Sequence, residues 1–262
     1  MHQVFRKLSG IASIAVLCCP GAGSSLWAQT QFPSAVQAVR DARAITILSS
    51  VLSALGGNAA IASIHDSLAT GTETANQQST TFKWSDRGGD DYRDESSLGS
   101  VIASSHGKLK IRFGTHDRAL PEAVMKSHFP FHLPGVRIAT ILADPGSSIV
   151  YEGQAIIDDT STFKVETQFG QDQLTRRLTR QTWYINTQTN MPVAVDFFAP
   201  NLEDPRSGET LRLSIGNFQT VEGVQIPFTF RVTADGDSIG TAFTLQTVKF
   251  NQDLLDSDFN LN

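Results

Sequence analysis

Between residues 180 and 250 the chain alternates apolar and polar positions with a period of two. Trp183/Ile185, Val193/Val195/Phe197, Leu211/Leu213/Ile215 and Val224/Ile226/Phe228/Phe230/Val232 each place apolar side chains on one face. That period belongs to antiparallel strands with one buried face. In the last strand Phe243 and Leu245 share one parity, while Val248 and Phe250 take the other. A β-bulge at Gln246 or Thr247 reconciles the two and bends the strand, which points to a curved sheet.

Earlier strands follow the same logic. Residues 68–74, 80–87, 91–97, 101–104, 109–113, 150–157 and 163–169 read as strands, with Phe82 and Trp84 on one side of the second. Gly88-Gly89-Asp90-Asp91 and His106-Gly107 mark hairpin turns.

Helical spacing is confined to a few places. Ile45, Leu48, Val51, Leu52 and Leu55 recur at three- and four-residue steps, so residues 41–55 form one amphipathic helix. Asp41 suits its start and Gly56-Gly57 its left-handed stop. A short turn of helix is expected at 58–64. Residues 115–134 carry three prolines and are expected to be irregular, and Pro134 opens a helix to about residue 142. Together these elements predict an α+β fold: a curved antiparallel sheet, or incomplete β-barrel, with helices covering its concave face.

The first 28 residues stand apart. Arg6 and Lys7 precede an apolar run from 11 to 19, followed by Pro20-Gly21-Ala22-Gly23 and a cleavage position near Ala28. This is the pattern of a secretory signal peptide, too short to span a bilayer. Leu17 before Cys18 argues against a lipid anchor at Cys18 or Cys19, because a small residue normally precedes a lipidated cysteine. The expected organisation is a signal peptide over 1–28, a linker over 29–40 and a single domain over 41–262. The product is expected in the periplasm or outside the cell. Without residues 1–28 the chain has no cysteine, which excludes disulfides and thiolate metal sites there.

The remaining 19 Lys+Arg face 26 Asp+Glu, a net charge of -7. That balance lacks the basic face that nucleic acid requires. No other stretch is long and apolar enough to cross a membrane.

Catalytic signatures are missing. There is no Gly-x-Ser-x-Gly elbow, phosphate loop or dinucleotide fingerprint, so no cofactor is expected. His128-Phe-Pro-Phe-His132 has a metal-like spacing, but Pro130 opposes a helix there, and both are read as loop histidines, like His65, His106 and His116. The acidic groups Asp90/Asp91/Asp94/Glu95, Asp158/Asp159 and Asp253/Asp256/Asp258 lack the calcium-loop pattern and are read as solvated turns.

Fifteen phenylalanines and three tyrosines lie beyond residue 28. They either build a large core or line an apolar cavity able to take an acyl chain.

A resemblance sharpens this. Tyr151-Glu152-Gly153, Trp183-Tyr184-Ile185-Asn186 leading to Met191-Pro192-Val193, Asn217-Phe218 through Gly223 to Pro227, and Val248-Lys249-Phe250-Asn251 with Leu254, Asp256 and Phe259 resemble the periplasmic lipoprotein-carrier and outer-membrane lipoprotein-sorting superfamily, in its uncharacterised branch. The resemblance implies a half-barrel plugged by helices and an apolar cavity for acylated proteins, and transfers no functional residue.

Three readings follow. The first is a non-enzymatic exported protein binding a lipid, an acyl chain or an acylated protein, with Phe82, Trp84, Ile111, Phe113, Phe228 and Phe230 as cavity candidates chosen by strand parity. The second is a packed interaction module of the envelope, favoured by an exposed apolar patch over 125–133. The third is a hydrolase, which needs a cleft gathering a perturbed carboxylate or histidine.

Overall fold

A computed structural model describes residues 38–261, apart from 89–90, 126, 171 and 235–239. The expected signal peptide, Cys18, Cys19 and most of the expected linker lie outside the described residues, as do Gly89 and Asp90 of one expected turn.

Thirteen antiparallel strands form one sheet. In chain order they are β1 (Asp66–Ala75), β2 (Gln78–Arg87), β3 (Asp91–Ser96), β4 (Ser100–Ser105), β5 (Lys108–Phe113), β6 (His116–Ala119), β7 (Ser148–Ile157), β8 (Thr160–Gln168), β9 (Gln181–Asn186), β10 (Pro192–Pro200), β11 (Gly208–Val221), β12 (Val224–Ala234) and β13 (Thr241–Phe250). Their spatial order is β6-β5-β4-β3-β2-β1-β13-β12-β11-β10-β9-β8-β7, so two hairpin series meet where β1 pairs with β13.

The alternation fixes one buried face. Phe243 pairs with Phe230, Phe230 with Ile215, Leu213 with Val195, Val195 with Trp183, and Trp183 with Val165. All of them join one apolar core. The expected bulge is present: Thr70 faces Thr247 and Gly71 faces Leu245, which leaves Gln246 as the extra residue. A second bulge leaves Val193 half-buried between Pro192 and Ala194, so it falls out of the face it shares in the sequence with Val195 and Phe197.

The helices lie on the same face. In α1 (Ala42–Ala54), the Asp41 side chain accepts from the backbone N–H groups of Arg43 and Ala44. Ala44, Ile47, Leu48, Val51, Leu52 and Leu55 are buried. Gly56, at φ +120°, ends the helix where a Cβ would meet the Gly223 carbonyl at 2.4 Å. Beyond α2 (Asn58–Ala62), α3 (Glu122–Met125) is a single turn, and α4 (Pro134–Ala143) packs against α1 and α2.

A fifth helix, α5 (Gln173–Thr179), escaped the pattern reading. Its signals are short: Asp172 caps Thr175, Leu178 is buried, and Arg176 and Arg177 sit in the last turn.

The β7 edge is partly covered by the chain that leads into α1. Arg40 bridges Ile149 in parallel, with Ile149 N–H donating to Val39 O at 2.7 Å and Asp41 N–H to Ile149 O at 2.9 Å. The Arg40 guanidinium donates to the carbonyls of Leu142, Asp144 and Ser147 at the end of α4.

Candidate functional site

Curvature follows from three rings. Trp84 on β2 lies 6.2 Å from Phe131, and Phe131 lies 5.7 Å from Phe197 on β10. Five strand spacings separate β2 from β10, about 24 Å in a flat sheet. One phenylalanine can bridge them only if the sheet curls, so this face is concave.

Trp84 is the hub of the concavity. Phe82 stacks on it at 4.2 Å, and Phe243, Phe230 and His132 lie 5.6–6.1 Å away. Such ring pairs each contribute about 0.5–1.5 kcal/mol beyond area burial.

The middle of this face is covered by the irregular segment 127–133, here called the strap. Pro130 excludes regular helix, and the strap is held by turns: His128 N–H donates to Met125 O, and Leu133 N–H to Pro130 O. Phe129 is buried and meets Phe131, Phe197 and Trp183 at 5.1–6.4 Å. The described residues of 125–133 therefore turn their apolar groups inward, and the exposed patch expected of an interaction module is not formed there.

The candidate residues separate into two groups. Phe82, Trp84, Phe228 and Phe230 belong to the main core. Ile111 is on the same face by register but packs in a smaller cluster with Leu109, Leu120 and Val124. Phe113, two residues on, is 51% exposed.

The strap brings together polar groups that lie scattered in the sequence. His128 stacks on Tyr92 at 3.7 Å, and its Nε2 lies 3.6 Å from Asp86. His132, fully buried, has Nε2 2.9 Å from the Ser67 hydroxyl and 3.7 Å from the other Asp86 oxygen. Burial pushes the His132 pKa down, and neighbouring Asp86 opposes the shift. His128 Nε2 and His132 Nδ1 are buried without a hydrogen-bond partner. These loop histidines pack the strap against Ser67, Asp86 and Tyr92. The only sequence signal for them was their flanking of Phe129 and Phe131.

Asp94 corrects the reading of its acidic cluster as a solvated turn. Burial, with Glu73 nearby, pushes its pKa up to about 7, against a hydrogen bond from Trp84. Asp94 itself is half-buried, and Asp91 is buried and paired with Arg87 at 2.6 Å.

The geometry bears on hydrolysis. In a Ser–His–acid relay the acid orients Nδ1 while the hydroxyl faces Nε2. Here Ser67 and Asp86 both face Nε2, Nδ1 has no partner, and Ser67 is fully buried. Among the described residues, no group of three or more His, Cys, Asp or Glu side chains could hold a metal. No helix there is long and apolar enough to cross a membrane.

A cleft of about 300 Å³ lies apart from these rings, lined by Ala103, Ser105, His106, Lys108, Lys110 and Phe259 among others. Strand register puts Ala103 and Lys110 on the convex face, opposite Ile102 and Ile111.

No family model matches the chain, and no curated protein matches it. Solved structures do. A LolA superfamily protein from Nitrosomonas europaea is 14% identical, covering 83% of this chain and 97% of that one, with a TM-score of 0.53. A putative outer membrane lipoprotein-sorting protein domain from Vibrio parahaemolyticus is 16% identical over 82% and 95% of the two chains, with a TM-score of 0.51. The chain shares its fold with these two proteins. A DUF1329 family protein from Desulfovibrio piger shares it at 11% identity, a TM-score of 0.51, and coverage of 83% and 96%. In this LolA-like sheet the strap crosses the concave side, where Trp84 and Phe197 face one another across it.

Proposed function

We propose that this protein is exported to the cell envelope and there binds a lipid, an acyl chain or an acylated protein on its concave face, without chemistry. The observation that carries the reading is the aromatic concavity closed by an irregular strap. Phe82, Trp84, Phe228 and Phe230 form the floor, and Phe129 and Phe131 occupy the space above it. An acyl chain replacing those two rings meets the same apolar surroundings, so the burial it gains offsets the burial the displaced rings lose. The likeness to a lipoprotein-sorting domain supports the same ligand class.

Native mass spectrometry of the exported protein, purified without detergent, tests it. A retained adduct of lipid mass, or uptake of added lipid that increases in Phe131→Ala, supports the proposal. A bare protein that takes up no lipid even in that variant overturns it.

A second reading, a packed interaction module, is favoured by the ring contacts that already fill the concavity. The bare-mass outcome is its signature.

A further inference from the structure

Arg137 is out of place. It projects from α4 into the aromatic face, with its guanidinium carbon 4.8 Å from the Phe169 ring and 6.0 Å from that of Phe129. Its Nε donates to the neutral Gln181 side chain at 3.1 Å, and Nη2 is buried without a partner. Among the described residues no carboxylate lies within ion-pair distance of it, whereas Arg87, Arg93 and Arg212 each hold one. Burial alone lowers its pKa, to about 10, so it remains charged. A cation with a buried N–H edge and no counter-charge carries a desolvation cost, and such a cost persists where the group has a partner to meet. The aromatic rings and Gln181 hold the fork in one orientation while leaving an N–H edge unused.

We propose that Arg137 is the head-group receptor of the concave site, and that the apolar ligand carries a carboxylate. This rests on the apolar-ligand reading above and names its chemical class. A planar guanidinium matches a planar carboxylate with two parallel hydrogen bonds. A single guanidinium matches a single negative charge. The acyl chain then runs from Arg137 through the space that Phe129 occupies towards Trp183 and Phe197, the rings that Phe129 touches. Gln181, fully buried at the start of β9, fixes the guanidinium plane.

The test compares palmitate with methyl palmitate, two probes differing only in the head group, by displacement of a fluorescent lipid at pH 8. Wild-type protein is expected to prefer palmitate by about tenfold or more, the worth of one charge-assisted pair. Arg137→Met is expected to bind both probes equally. Thermal melting confirms that the variant is folded. Ester and acid bound equally by wild type, or a preference that survives in Arg137→Met, overturns the role of Arg137 and leaves the apolar site standing. Binding of neither probe overturns both.

Discussion

His132 Nε2 lies 2.9 Å from the Ser67 hydroxyl, and both side chains are closed off from water. This contact ties the end of the strap to β1. Because the folded pKa of His132 is depressed, the unfolded chain binds the proton more readily. Its contribution is fully present above the unfolded pKa of about 6.5 and is lost as pH falls below it. The melting temperature is therefore expected to decline from pH 7 to pH 5. In His132→Gln that decline should flatten, even though the variant melts lower at pH 7. An equally steep decline in the variant would place the acid sensitivity elsewhere.

Asp94 acts in the opposite direction. Its folded pKa, raised to about 7, favours the neutral acid in the fold. The stability it contributes is present below about pH 4, the unfolded value, and is lost as pH rises through 7. Asp94→Asn should thus stabilise the protein at pH 8, by about 2 kcal/mol once solvent screening is allowed for. Urea unfolding of both proteins at pH 5 and pH 8 measures this, with the larger gain expected at pH 8.

Much of this architecture was legible in period-two alternation, down to a bulge at Gln246 or Thr247, because a strand that switches parity while keeping one face buried must carry an extra residue. Asp41 and Gly56-Gly57 marked the ends of α1 for similar local reasons. α5 was missed because seven residues give too few turns for a periodic signal. The site was harder. Phe82 and Trp84 were found because they share a strand face, but Asp86, His128 and His132 converge only through the fold. Asp94, beside Asp91 and Glu95 in sequence, looked solvated because strand parity was not applied to polar residues. Arg137 gave no signal, since one arginine on a helix is ordinarily exposed.

The two strap phenylalanines should differ. Phe129 is almost wholly buried, so Phe129→Ala is expected to cost about 3–5 kcal/mol. Phe131 is partly buried and should cost less while raising the uptake of apolar dyes. Phe113→Ser, at an exposed position, should change stability by no more than about 0.5 kcal/mol. Denaturant titrations of the three variants give the order directly.

Gly71 sits at the register shift between β1 and β13. A Cβ there would meet the Thr244 carbonyl at 2.3 Å and the Phe82 ring at 2.7 Å. The carbonyl belongs to the ladder and cannot yield cheaply. Gly71→Ala should cost about 1–3 kcal/mol and displace Phe82 from Trp84. Loss of stability with a changed near-ultraviolet circular dichroism signal is the expected result, and an unchanged spectrum would contradict the displacement.

The contact of Arg40 with the β7 edge carries a mechanical consequence. Tension applied to the chain ahead of residue 39 reaches the sheet first through the Val39 and Asp41 hydrogen bonds to Ile149, and the end of α4 through the Arg40 guanidinium. These bonds flank one residue of an edge strand, and α1 follows directly behind them. A pull from that end is therefore resisted at Ile149 before it loads the helix over the concave face.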